Sequence, residues 1–445
     1  LKQQRHILVI GGGLAGLAAA RYLQAAGFTV TLLEREREVG GRARTALVDG
    51  YAFELGAEFL ASFYTRTLAL LGELGLRQAL QRIPRSSAIL RDGQLYPLWP
   101  NLRLAFTHLI RSQQKLPLTY LLASLVRHRK LLDLYAFHKA YPIDDQDVSR
   151  YALDHFSREL LEYVLQPPIA GIFYWTPERT SRALLLLVLK AGFSRPTGLQ
   201  LFTLRGGLGG LARALAGNLQ VRLGVEVRTI TPHADGGYTL HVQDEDGGAT
   251  LQADGIVIAT TATVVPHLLP WLDHERRCFF EAIVYSQTAN LALGTRTPLP
   301  QATYGLLFPR RETPFLASAT LQTVKDSTTA PAGRAALCLH LSGPATTALR
   351  QQDDDTLARL MLADLRRLLP MYDPTPGLEV QRLYRCPEAL PEFNVGHFRR
   401  LNAFANGTIE QGQIVFAGDY LGGPFIEGAL VSGEQAAQRL LQRMA

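Results

Sequence analysis

Cysteine is scarce: Cys278, Cys338 and Cys386 are the only three in 445 residues, scattered and odd in number, with no Cys-x-x-Cys pair. That excludes a disulfide-built scaffold and favours a reducing compartment. The eleven histidines fall at no metal-ligand spacing, so no metal is expected. Long apolar runs are missing too. The longest, such as 116–126 and 183–189, fall well short of the roughly 20 residues needed to cross a bilayer, and no membrane span is expected. Internal repeats and low-complexity tracts are absent. An apolar strand pattern begins almost at residue 1 and leaves no room for a signal peptide, so the expected location is cytoplasmic.

What is present is glycine, 39 residues, and 47% hydrophobic content. Both suit an α/β enzyme with a sizeable core, and the length exceeds an average domain of about 150 residues, so two or three units are expected. The net charge is +7. Arg103, Arg111, Lys115, Arg127, Arg129 and Lys130 concentrate near 100–130, interleaved with Leu102, Leu104, Phe106, Leu109, Leu121, Leu122 and Leu125. Such a region forms either solvated basic helix faces or a surface that rests on an acidic membrane and admits a lipophilic substrate. No nucleic-acid motif accompanies these charges, so nucleic acid is not an expected partner.

The chemistry is carried by glycines near the start. The apolar run His6-Ile7-Leu8-Val9-Ile10 leads directly into Gly11-Gly12-Gly13-Leu14-Ala15-Gly16. In a strand, turn, helix unit, Gly11 permits the tight turn, Gly13 lets a pyrophosphate approach the backbone, and Gly16 lets the helix pack closely on its strand. A helix over 14–26 and a strand over 28–33 follow, ending at Glu34, 18 positions after Gly16, where a carboxylate accepts hydrogen bonds from an adenosine ribose. The spacing predicts a dinucleotide site.

Gly40-Gly41-Arg42, then Phe53-Glu54-Leu55-Gly56-Ala57-Glu58, and at the far end Phe416-Ala417-Gly418-Asp419 with Ile426-Glu427-Gly428-Ala429, complete the pattern. On these residues the chain resembles the flavin amine oxidase superfamily, which includes monoamine and polyamine oxidases, protoporphyrinogen oxidases and carotenoid desaturases. The resemblance implies noncovalent FAD. It places Glu34 and Arg35 at the adenosine end, Gly41 and Arg42 at the pyrophosphate, and Gly56, Ala57 and Glu58 beside the isoalloxazine. By the same resemblance Val227 and Thr260 meet the nucleotide, Gly418 and Asp419 the pyrophosphate and ribityl chain, and Ile426 and Ala429 a helix aimed at the flavin's pyrimidine edge.

It also implies an α/β fold: a Rossmann-like, GR2-type FAD domain built from 1–60, 200–275 and 405–445. An inserted α+β substrate domain, 61–199 and 276–404, would carry a helical cap over about 100–195. Within it a hairpin is expected at Arg91-Asp92-Gly93, helix breaks at Pro117, Pro142, Pro167-Pro168 and Pro177, and an amphipathic helix over 356–369, while the FAD domain is expected to hold one alternating strand over 221–230.

Subfamily signals diverge. Amine oxidases carry a lysine in the stretch corresponding to Tyr285–Leu293, where this chain has Ala289 or Asn290, and Phe425 replaces one of their tyrosines. Ala389-Leu390-Pro391-Glu392-Phe393-Asn394-Val395-Gly396-His397 and Gln166-Pro167-Pro168-Ile169-Ala170-Gly171-Ile172-Phe173 resemble protoporphyrinogen oxidase signatures. The expected activity is dehydrogenation of a mainly apolar small molecule by hydride transfer to flavin N5, with O2 or quinone as acceptor. Carotenoid or terpenoid desaturation, amine oxidation and a purely structural flavin are the alternatives. No general base is singled out. Tyr174, Trp175, Phe393, Phe425 and His397 are the pocket candidates, with a place in the apolar core as the alternative for the first three and a structural anchor at the Gly-His turn as the favoured reading of His397; peripheral membrane contact and a homodimer stay open.

Overall fold

The computed structural model describes residues 5–445 except 85–86, 99–108, 111–117, 194–197, 235, 302 and 408. Most of the basic stretch singled out above, including Arg103, Arg111 and Lys115, lies outside the described residues. Its continuation, helix Leu118–Arg127, buries Leu121 and Leu125 and leaves Arg127, Arg129 and Lys130 exposed.

Five parallel strands form one sheet in the order Gln220–Leu223, Thr29–Glu34, His6–Ile10, Gly255–Ile258, Ile414–Phe416. Its central strands are apolar without alternation because both faces are covered. Ile7 and Val9 face helices Leu14–Ala25 and Ile426–Met444, whereas Leu8 and Ile10 face an antiparallel meander, Glu226–Pro232, Tyr238–Asp244 and Gly247–Ala253. The two helices touch through small residues: a Cβ on Gly433 would lie 2.1 Å from the Ala15 carbonyl oxygen. The stretch 221–230, expected as one strand, is two. Gly224, at φ +70°, turns the chain out of the parallel sheet and into the meander, a conformation only glycine adopts without strain.

A second sheet has seven strands in the order Leu378–Cys386, Thr288–Thr295, Ala335–Leu341, Leu316–Leu321, Gly305–Leu307, Ser87–Arg91, Gln94–Leu98. The last pair is the expected hairpin, turned by Asp92 and Gly93 at φ 50° and 74°. Helix Asp354–Leu368 covers one face, burying Leu357, Met361 and Leu365 against Leu291, Leu337 and Leu339. Asp353 caps it by accepting from the Thr356 N–H at 2.8 Å. Helices Val148–His155, Gln166–Phe173 and Arg182–Gly192 gather around a separate apolar cluster that forms the cap. Pro167 and Pro168 do not break this region as expected. They sit in the first turn of Gln166–Phe173, directly after the π-helical segment Leu161–Leu165, where a missing N–H costs little. Among the described residues no helix is long and apolar enough to cross a membrane.

Candidate active site

A cavity of about 840 Å³ runs from the carboxyl ends of the parallel strands, past the edge of the second sheet, to the cap. At the first end the glycine turn behaves as its spacing implies. Gly11 has φ +103°, and a Cβ there would lie 2.8 Å from the Ala259 carbonyl oxygen. Gly16 is a packing residue that does not line the cavity; its Cβ would fall 1.9 Å from the Gly11 oxygen. A Cβ on Gly13 would meet nothing, so open space lies over the start of helix Leu14–Ala25. That helix has no side-chain cap and no acid in its first turn. Uncapped N–H groups and the helix dipole facing open space suit a pyrophosphate.

Glu34 is buried with both oxygens engaged: Oε2 accepts from Gly12 N at 2.5 Å and Oε1 from Glu36 N at 2.9 Å. Opposite, Arg42 is clamped by Asp419, Nη1 to Oδ2 at 2.8 Å and Nη2 to Oδ1 at 2.9 Å, and Nη1 also donates to the Ala389 carbonyl. Burial works against the Arg42 charge, but Asp419 more than offsets it and the guanidinium pKa is raised. The cation is therefore permanent and oriented. Gly56 lies against Arg42, where a Cβ would fall 2.3 Å from the Arg42 oxygen.

Besides Gly11, Gly13 and Glu34, the cavity wall includes Leu14, Ala15, Arg35, Gly41, Arg42, Gly56, Ala57, Glu58, Val227, Thr260, Gly418, Asp419, Ile426 and Ala429. Glu427 turns away. Its carboxylate accepts from the backbone N–H groups of Arg66 and Thr67, both at 2.8 Å, and so caps helix Thr65–Glu73 from another part of the chain.

At the cap end Tyr174 and Phe425 line the cavity, with Phe63, Leu121, Val164, Ile172, Val188 and Phe193. Trp175, Phe393 and His397, also candidates, do not. Trp175 stacks on Phe173 at 4.7 Å, and Phe393 packs among Phe137, Phe398 and His397 inside the cap core. His397 is fully buried, with Nε2 against the Tyr420 carbonyl oxygen at 2.9 Å and Nδ1 unpartnered. Burial, reinforced by Arg400, pushes its pKa down to about 3, so it is a neutral anchor. Apolar packing outweighs the signature's suggestion of a pocket role.

Sequence reasoning missed the polar floor beneath Gly56 and Ala57. Asn290 faces the cavity, while its neighbour Ala289 points into the core behind the sheet, as strand alternation requires. Beside it lie Thr288, Thr320 and His340, and Cys386, paired with Thr288 on the adjacent strand, lines the cavity with Arg385.

The family model described as flavin containing amine oxidoreductase matches residues 14–441. The chain belongs to that family. It is a flavin-dependent oxidoreductase with a Rossmann-like nucleotide domain and an inserted substrate domain. Coproporphyrinogen III oxidase of Bacillus subtilis (strain 168) is 23% identical, covering 96% of this chain and 94% of its own. Protoporphyrinogen oxidase 1, chloroplastic, of Arabidopsis thaliana is 22% identical over 95% and 84% of the two chains. Putrescine oxidase of Kocuria rosea is 29% identical over 61% of each. Among solved structures, cyclohexylamine oxidase from Brevibacterium oxydans IH-35A superimposes with a TM-score of 0.75 at 18% identity, covering 99% of this chain and 100% of that one.

Proposed function

We propose that this enzyme binds FAD noncovalently and dehydrogenates a mainly apolar small molecule of the porphyrinogen type. The flavin would supply the hydride acceptor at N5. The protein's share is to hold pyrophosphate at Gly13 and Arg42, to receive the adenosine ribose at Glu34, and to exclude water over the ring. Residues 1–60, 200–275 and 405–445 form the cofactor unit in this reading, and 61–199 with 276–404 the substrate unit.

The observation that carries the substrate class is the cap end of the cavity. Its described walls are aliphatic and aromatic from Phe63 through Leu121, Val164 and Ile172 to Phe193, with no carboxylate among them to receive an ammonium group. An alkyl-rich macrocycle fits such a chamber better than a polyamine. The similarity to coproporphyrinogen and protoporphyrinogen oxidases points the same way, and this chain has Ala289 or Asn290 where amine oxidases carry lysine. A carotenoid or terpenoid desaturase is the second reading, favoured by the same walls.

Noncovalent attachment is favoured at Cys386. Burial pushes its thiol pKa up, Arg42 only partly opposing, which makes it a poor nucleophile toward the ring. Acid precipitation should release all flavin into the supernatant. The expected acceptor is O2 or quinone and the expected location cytoplasmic. Exposed Leu122 and Val126 beside Arg127 and Arg129 offer a peripheral membrane contact, checked by sedimentation with anionic vesicles.

The deciding experiment is anaerobic bleaching of the bound flavin's visible band by protoporphyrinogen, coproporphyrinogen, a carotenoid precursor, and primary, secondary and polyamines. Bleaching by a porphyrinogen alone is expected. Bleaching only by an amine overturns the reading.

A further inference from the structure

The floor of the cavity holds a buried polar cluster, of which only Glu58 is expected beside the flavin. His340 is 1% exposed and sits directly across the sheet from Asn290 on one side and Ser318 on the other. Asn290 Nδ2 donates to the Leu55 carbonyl at 3.2 Å, which turns Oδ1 toward His340 Nδ1 at 2.9 Å. Nδ1 therefore carries the hydrogen of the neutral ring, and Nε2 keeps a lone pair.

Among the described residues no donor is left around Nε2 for that lone pair. Thr320 Oγ1, 3.2 Å away, gives its hydrogen to Glu58 Oε1 at 3.1 Å and accepts from Gln322 at 3.0 Å. Glu58 Oε1 itself lies 3.5 Å from Nε2. A proton arriving on Nε2 would at once find both Thr320 and a carboxylate to donate to. Glu58 is fixed for this by Lys325 at 3.1 Å and by the Tyr304 hydroxyl at 2.9 Å. The Tyr174 hydroxyl reaches to 3.3 Å from Nδ1, and its backbone is left-handed at φ 59°, a strained state for a tyrosine. Beyond Glu58, the other titratable groups near the ring are Glu54, Lys325, Tyr304, Tyr174 and Cys338.

We propose that His340 is the proton acceptor of the dehydrogenation, with Glu58 balancing the imidazolium and Lys325 and Asn290 positioning the pair. This rests on the dehydrogenase reading but not on which substrate is oxidised. The substrate's C–H bond breaks with its electron pair leaving as hydride to the flavin. The adjacent N–H or C–H gives its proton to Nε2 and leaves its bonding pair as the new double bond. The substrate is oxidised by two electrons and the flavin reduced by two.

The test compares holoenzyme with His340→Asn, which keeps an amide donor toward Asn290 but has no base, and with His340→Gln. Anaerobic flavin bleaching by the substrate found in the panel should slow by about 10²- to 10⁴-fold in both variants. The pH profile of the wild-type rate should be lost in both variants. Flavin affinity, the visible spectrum and photoreduction should be unchanged. Independently of turnover, ¹⁵N-histidine NMR of the wild-type holoenzyme should show His340 as the Nδ1–H tautomer at neutral pH. An Nε2–H tautomer overturns the assignment, as does a slowed variant that keeps the wild-type pH profile. Should no compound bleach the wild-type flavin, the dehydrogenase reading itself falls, and the assignment with it.

Discussion

Replacing Lys325 by methionine tests the electrostatic reasoning most directly. The lysine side chain is 1% exposed and lies 3.1 Å from Glu58 Oε2 and 3.5 Å from Glu54 Oε1. Burial disfavours its charge, yet Glu58 and then Glu54 outweigh that and raise its pKa. For Glu58, burial opposes ionisation, but Lys325 above all, helped by the Gln322 amide, holds the carboxyl well below its usual range. Glu54 moves the other way, because burial and repulsion from Glu58 outweigh Lys325. The cluster is thus a cation, one firm carboxylate and one acid that accepts a proton readily.

Removing the cation strands Glu58, and breaking a buried pair costs about 3–5 kcal/mol. With an unfolding entropy of about 2.1 cal/mol/K per residue, a chain of this size loses about 1 °C of Tm per kcal/mol, so Tm should fall about 3–5 °C. The pH dependence gives the sign. In the wild type the folded pKa of Glu58 is depressed, so its contribution is present above the unfolded value near 4.5 and is lost only as pH falls through the folded one. Between pH 8 and 5.5 it adds no slope. In Lys325→Met the stranded carboxyl is raised instead, and protonation relieves the penalty as pH falls. The Tm gap between wild type and variant should narrow from pH 8 to 5.5, and Glu58→Gln/Lys325→Met should recover most of the loss. Circular dichroism melts of the holoenzymes measure both. An equal gap at the two pH values, or a double variant as unstable as the single, refutes the account.

Gly16→Ala places a methyl into the Gly11 carbonyl and should yield folded protein largely without flavin, read as the ratio of visible to 280 nm absorbance. His397 has a depressed folded pKa, so its contribution is full above the unfolded value near 6.5 and is lost as pH falls toward 3. That loss amounts to about 2 kcal/mol at pH 5, and urea melts of His397→Asn should show a correspondingly flatter decline between pH 7 and 5. Glu427→Ala should cost about 1–2 kcal/mol by uncapping helix Thr65–Glu73, with the flavin spectrum unchanged.

The nucleotide half was legible because its rules are local. A glycine that must clear a carbonyl, or an acid at the end of the second strand, is specified by a few neighbouring residues, so Gly11, Gly13, Glu34 and Arg42 could be placed from spacing and resemblance. The floor was not legible in the same way. Asn290, Thr320 and His340 meet through the register of the seven-stranded sheet, and Glu58 and Lys325 reach them from a loop and a short helix outside it, a convergence no short segment encodes. Residues 221–230 misled because apolar alternation continues across Gly224 while the chain changes sheets. For His397 the structural-anchor reading of its Gly-His turn holds and the pocket reading does not, because the motif says nothing about which way the imidazole faces.

The parallel sheet is completed by Ile414–Phe416, and helix Ile426–Met444 closes over helix Leu14–Ala25 with Gly433 against Ala15. During synthesis, the glycine turn and Glu34 therefore emerge nearly four hundred residues ahead of Asp419, the partner that orients Arg42. In the proposed reading, the nascent amino-terminal unit lacks the carboxylate that orients Arg42 until that distant segment docks. The Arg42–Asp419 clamp cannot form before this segment leaves the ribosome, so flavin capture is expected to follow synthesis rather than accompany it.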